Sequence, residues 1–173
     1  MYNRETSTKR EAVYLKEYVT HAIQDDYPDD FSWCYGCGSL NEKGNHFRTG
    51  WEGEHTVTYT LPPEKYTAIP GFVYGGFLAS FLDCHGTGSC SLALHRKNGH
   101  EPGDGSVPPR FVTASLQITY NKPTPQGKLL KAVGRVTEIH PKKWKAEIEI
   151  FAEDELCAAG EVIGVVMPAT FTK

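Results

Sequence analysis

The chain has 173 residues, 23% of them charged, and a formal net charge of −3. That length makes one domain and buries a sizeable core without staples, while the mild acidity argues against nucleic acid as the main partner. No apolar run reaches the roughly 18 residues of a membrane span, the N-terminal MYNRETSTKR lacks a signal-peptide core, and five irregularly spaced cysteines point to reduced thiols in the cytoplasm.

In chain order, Arg10 to Gln24 reads as a short amphipathic helix, with Val13, Tyr14, Tyr18, Val19 and Ile23 near one face. It lacks the Lys/Arg-rich face of a membrane-surface helix, so it is expected to pack on the domain or on a partner subunit. Gln24 to Asp30 is acidic, contains Pro28 and reads as a linker. Residues 1–30 are therefore expected to form an N-terminal helical extension and linker, and residues 31–173 a single domain.

Cys34 and Cys37 form a Cys-x-x-Cys followed by Gly38. A structural zinc site needs four ligands and usually a second such pair, and none follows. A redox pair wants a helix start after a strand, which this context does not offer. The segment is read as a structural turn, with no metal. Asn45 to Trp51 and Glu54 to Leu61 look like two strands, the second alternating through Val57, Tyr59 and Leu61 and ended by Pro62-Pro63. Glu64 to Gly71 is a loop.

The stretch from Pro70 to Leu94 organises the chain. Phe77, Phe81 and His85 recur every four residues, as do Leu78 and Leu82, which is a helical period. Gly75-Gly76 falls in the first turn, where backbone N–H groups have no intrahelical partner. Asp83 is the only carboxylate in the stretch, and a lone acid in an apolar helix is costly unless it is paired or used. Phe72, Phe77 and Phe81 suggest an apolar pocket. After an exposed Gly/Pro-rich loop over Arg96 to Arg110, read as an insertion, Phe111 to Tyr120, Leu129 to Ile139, Trp144 to Glu153 and Glu155 to Met167 read as strands. About six strands and one long helix make an α+β domain.

Several of these features resemble one family. Gly75-Gly76, a short apolar run and Asp83; Thr113 followed by a strand and Tyr120-x-x-Pro123; and the Cys-x-x-Cys-Gly with Asn41 and Gly44 downstream are similar to the hotdog-fold acyl-CoA thioesterases of the phenylacetate-degradation type, in the 4-hydroxybenzoyl-CoA thioesterase superfamily. The resemblance implies a hotdog fold, a long central helix wrapped by a curved antiparallel sheet. It implies hydrolysis of an acyl-CoA thioester to free acid and CoA, without cofactor or metal, in a homodimer or dimer of dimers. Tyr74 stands where the family usually has His, and Thr67 and Ala68 lie where relatives often carry Asn or Gln.

Thioester hydrolysis needs donors for the developing oxyanion and a nucleophile at the carbonyl carbon. Gly75 N–H at the helix tip suits the first need, and Asp83, as general base or nucleophile, the second. The resemblance adds Thr113 as the group orienting water or carboxylate. Tyr74, in place of the family's His, still offers a hydroxyl to substrate; with Gly76 and Lys122 it is read as a substrate-binding position, and Arg110 and Lys122 as surface cations for CoA phosphates. Eight residues at 1.5 Å each separate Gly75 from Asp83 by roughly 12 Å on one helix. A site using both must therefore take them from different subunits. His85 lies on another helix face and reads as a satisfied core histidine. The alternatives are a non-catalytic acyl-CoA-binding hotdog protein and a hotdog hydratase or dehydratase, which would need an Asp and a His side by side.

Overall fold

The computed structural model describes residues 15–171. The expected strands form one antiparallel sheet, β1 (Thr49–Glu52), β2 (His55–Thr60), β3 (Phe111–Tyr120), β4 (Leu130–His140), β5 (Lys143–Ala152) and β6 (Glu155–Val166), in the order β1-β2-β4-β5-β6-β3. Strand β5 shows why one face turns inward: Trp144, Ala146, Ile148, Ile150 and Ala152 are buried, while Lys143, Glu147 and Glu149 between them face out. One long helix, α1 (Gly75–Lys97), lies in the curve of this sheet. This is the α+β hotdog architecture that the resemblance implied.

Helix α1 is buried on most of its circumference, from Phe77 and Leu78 through Cys84, His85, Gly86 and Ser89 to Leu92 and His95. A helix enclosed on several sides does not need one polar face. Phe47, Phe77 and Phe81 pack ring to ring in the core, with Phe47 and Phe81 centroids 5.0 Å apart. Phe81 is therefore core filling. Among the described residues no helix is long and apolar enough to cross a membrane.

Two segments differ from the sequence reading. Strand β1 starts only at Thr49, because residues 45–48 belong to the cysteine turn: Asn45 N–H donates to Tyr35 O and Phe47 N–H to Gly36 O, each at 2.9 Å, and His46 between them has φ of 53°. The helix expected over 10–24 lies partly outside the described residues; within them residues 15–18 are helical. The stretch expected as a linker instead folds as two 3-10 turns, Ile23–Asp26 and Asp29–Phe31, with Ile23, Gln24 and Tyr27 buried. Ile23 and Tyr27 pack against Leu92 of α1, which accounts for the burial.

Beneath the helix runs a buried polar chain. Gln24 Oε1 accepts from Thr49 N–H at 2.8 Å, Gln24 Nε2 donates to Thr49 Oγ1, Thr58 Oγ1 donates to Thr49 Oγ1 at 2.9 Å, and Thr58 Oγ1 meets His85 Nδ1 at 2.8 Å. On the far side of the ring Thr56 Oγ1 bonds Ser89 Oγ at 2.7 Å, and both hydroxyls lie 3.4 Å from His85 Nε2. With Thr58 donating to Thr49, the His85 tautomer with its proton on Nδ1 is the one that finds an acceptor. Complete burial pushes the His85 pKa down to about 3, so the ring stays neutral.

Thr58→Val keeps the shape of this chain but strands His85 Nδ1 in the core. It should lower the unfolding free energy by about 1–3 kcal/mol. A urea midpoint equal to wild type would show that the chain contributes nothing.

Candidate active site

Asp83 sits on the third turn of α1, half-buried, and its Oδ1 accepts a 2.5 Å hydrogen bond from Thr113 Oγ1 of β3. The strand is built to make this contact. Thr113 pairs with Gly164 and Ser115 with Ile163, so Ala114 is an extra residue, a β-bulge that re-aims the side chains on either side of it. Among the described residues strand β3 is also a sheet edge, bonded only to β6. Burial raises the Asp83 pKa; the Thr113 bond opposes that, Cys34 adds to it and Arg110 opposes it. Among the described residues Asp83 joins no ion pair within 4.0 Å.

Gly75 is the first residue of α1, after the N-cap Tyr74, whose side chain caps nothing. Phe77 N–H bonds back to Tyr74 O at 3.0 Å, while among the described residues Gly75 and Gly76 N–H have no acceptor. Tyr120 Oη donates to Gly75 O at 2.9 Å, tying the helix tip to the end of β3. Around that tip is a hollow of about 300 Å³ lined by Val73, Gly75, Leu78, Tyr120, Lys122 and Thr124. Tyr74 is 54% exposed, and its ring lies over Gly76: a Cβ there would fall 2.3 Å from Tyr74 Cε1. Lys122 reaches Glu155 at 2.5 Å. Thr67 Oγ1 is spent locally on Glu64 O at 2.6 Å.

The site residues thus fall into two groups on one unbroken helix. Gly75, Gly76, Tyr74 and Lys122 gather at its tip; Asp83 and Thr113 lie about two turns on, roughly 12 Å along the axis. A single chain does not bring the two groups together. His85 lies in the core on Thr58, so it does not join Asp83 in an Asp–His pair of the hydratase kind.

The structure adds residues beside Asp83 that the sequence reading did not place there. Cys84, fifty positions from Cys34, meets it Sγ to Sγ at 3.8 Å, and the Sγ atoms of Cys34, Cys37 and Cys84 all lie within 4.8 Å of one another. Hydrogen bonds from Cys37 and Cys84, aided by the backbone N–H groups of Cys37 and Gly36, hold the Cys34 thiol well below its ordinary range. Its neighbours keep their own protons: Cys37 is pushed up to about 11, and Cys84 is raised too. All five cysteines are free thiols. Arg110, expected as a surface cation, is half-buried instead: its guanidinium lies 4.8 Å from the Tyr27 ring centroid, and among the described residues its buried Nη1 has no hydrogen-bond partner. The only signal for Cys84 was its place next to Asp83, which says nothing about which strand or turn it faces.

The comparisons with known proteins show the family and the fold. The family model described as Thioesterase superfamily matches residues 70–159. A thioesterase superfamily protein from Shewanella loihica PV-4 is 41% identical, with a TM-score of 0.61 over 81% of this chain and 98% of that one. Two further structures share the fold at lower identity. Smu.793 from Streptococcus mutans UA159, bound to acetyl CoA, is 19% identical, with a TM-score of 0.54 over 70% of this chain and 88% of that one. The E. coli PaaI protein from the phenylacetic acid degradation operon is 14% identical, with a TM-score of 0.56 over 72% of this chain and 81% of that one. No match was found among curated proteins.

Gly38 tests how tightly the cysteine turn is built. A Cβ there would lie 2.5 Å from Cys34 N and Ser32 O, both backbone atoms that cannot step aside. Gly38→Ala should cost about 1–3 kcal/mol, as overpacking does, read as a fall in the thermal or urea midpoint; an unchanged midpoint would show a looser turn.

Proposed function

The chain belongs to the thioesterase superfamily, and from that premise we propose that it hydrolyses an acyl-CoA thioester to free acid and CoA. Membership supports thioester hydrolysis in general. The acetyl CoA held by the Streptococcus mutans protein supports CoA as the leaving thiol. The observation that carries the residue assignment is the Thr113–Asp83 hydrogen bond at the open edge of β3. One carboxylate oxygen is tied down by a hydroxyl, among the described residues no cation neutralises the group at bonding distance, and the second oxygen is left for a reactant.

In this mechanism Asp83 acts on the thioester carbonyl carbon, directly or through a water. As general base it takes a proton from the water as the C–O bond forms; the C–S bond then breaks, and the proton passes to the departing CoA thiolate. Thr113 orients the carboxylate. The carbonyl oxygen, gaining negative charge, is met by the Gly75 N–H at a helix tip. That amide comes from a second copy. Strand β3 has a free edge, and two such edges paired antiparallel about a two-fold axis between Leu116 and Gln117 would set Thr113 opposite the partner's Tyr120. Tyr120 is the residue bonded to Gly75, so the partner's helix tip would come to face Asp83. We place this activity in residues 31–173, with residues 1–30 as an extension of that domain.

A second reading, acyl-CoA binding without turnover, is favoured by one observation: the Tyr74 ring lies over Gly76 at the helix tip. An acyl-CoA panel of varied chain length and aryl content separates the two. Wild type should hydrolyse at least one member, and wild type that binds a member yet hydrolyses none would establish the second reading.

Asp83→Asn should lower kcat by about 10²–10⁴-fold, the usual contribution of a general base, with acyl-CoA affinity within a few-fold of wild type. Unchanged hydrolysis would remove Asp83 from the mechanism.

The shared site has its own test. Gly75→Pro removes the N–H at a position where proline suits a helix start, after a Tyr74 already extended at φ −62° and ψ 129°. Chains carrying Asp83→Asn and chains carrying Gly75→Pro should each be inactive alone and regain activity when co-expressed. Mixed oligomers that remain inactive would overturn the shared site.

A further inference from the structure

The cysteine segment went unused in the hydrolysis above. As a pair, Cys34 and Cys37 made an incomplete metal site. The fold supplies a third thiol from α1, and the three Sγ atoms lie within 4.8 Å of one another without any disulfide. Tetrahedral zinc with Zn–S bonds of about 2.3 Å has S···S edges of about 3.8 Å. The Cys34–Cys84 separation is 3.8 Å. Two sulfurs are already spaced as an ion would hold them, and the third is close by.

The surroundings are shaped for this approach. A Cβ on Gly36 would lie 2.2 Å from Cys84 Sγ, so only glycine lets the turn come down onto the helix. Gly38 N–H closes the turn onto Cys34 O at 2.8 Å, which fixes the backbone that carries the first sulfur. The half-buried Arg110 lies within electrostatic reach of Cys34 and Cys37, and among the described residues its buried Nη1 has no hydrogen-bond partner. Three thiolates around a divalent ion carry one net negative charge, which this lone cation would balance. Cys37 and Cys84 are buried and Cys34 half-buried, so the cluster meets solvent on the Cys34 side.

We propose that Cys34, Cys37 and Cys84 bind one thiophilic divalent ion, zinc by ligand chemistry, clamping the cysteine turn to the central helix beside Asp83. Sulfur ligands select soft or borderline ions over magnesium or calcium. Each thiol that ligates gives its proton to solvent, with no change of oxidation state. The ion joins residues fifty positions apart in sequence, so its binding stabilises the folded chain over the unfolded one. This site is separate from the hydrolytic assignment, and its test reads no turnover.

The test uses the full chain, kept reduced with a phosphine, loaded with zinc and freed of excess. Elemental analysis should find about one zinc per chain, and the thermal midpoint should rise on loading and fall again with chelator. Cys34→Ser, Cys37→Ser and Cys84→Ser should each lose the ion, while Cys90→Ser and Cys157→Ser keep it. Should a buried Cys→Ser chain fail to fold, wild type still decides: cobalt in place of zinc should give the intense visible absorption and sulfur-to-metal charge transfer of tetrahedral thiolate coordination. A fully reduced wild type that retains no zinc, a cobalt spectrum without thiolate bands, or zinc content unchanged in folded Cys34→Ser and Cys84→Ser chains would each overturn the site.

Discussion

Gly86 of the central helix sits so close to β6 that a Cβ on it would lie 2.5 Å from the Cβ of Val162. From the other side, a Cβ on Gly134 of β4 would meet Thr56 Oγ1 at 2.5 Å and His85 Nε2 at 2.7 Å. The helix is seated as deep in the curved sheet as backbone contact allows. A glycine inside a helix costs about 1 kcal/mol relative to alanine. Burying one Leu or Phe stabilises by about 1.5–3 kcal/mol, and the seating fully buries Phe81, Leu82 and Leu92 along the same helix. Burial outweighs the helix-propensity cost of the small residues.

Depth brings polar groups inside with the apolar ones. His85, Ser89, Thr49, Thr56 and Thr58 are all fully buried, and each is answered by a hydroxyl, a ring nitrogen or the amide of Gln24. Such a chain is tolerable only when complete, because an unanswered donor in a low-dielectric core costs more than the bond returns. It also fixes the rotation of the helix about its axis. With His85 turned to Thr58, Asp83 faces Thr113 and the bulge in β3, and Cys84 faces the turn made by Cys34 and Cys37.

The flank of the helix that carries Asp83 is therefore crowded with groups that titrate or carry charge: a half-buried acid, three thiols whose sulfurs lie within 4.8 Å of one another, and the half-buried Arg110. The tip of the same helix presents free amides instead, with Tyr120 holding Gly75 from below. These two chemistries are complementary, and one rigid helix holds them apart. The length of the helix, rather than any single side chain, makes the free edge of β3 the natural place to look for a second copy.

Much of the fold was legible in the residues themselves. Alternation through Val57, Tyr59 and Leu61 and the four-residue recurrence of Phe77, Phe81 and His85 depend only on the periods of strand and helix, which are local; β3 matched its expected bounds and α1 began at the expected glycine pair. Asp83 stood out because a lone acid in an apolar run is costly wherever that run folds. What the chain order did not carry were the encounters. Residues 45–48 left β1 to pair with a turn ten positions earlier, Gln24 turned inward to bond Thr49, Arg110 went under cover beside Tyr27, and Cys84 joined Cys34 across fifty residues. Periodicity is written along the chain, whereas proximity across it is decided by how deeply the sheet closes on the helix, and only the packed structure sets that depth.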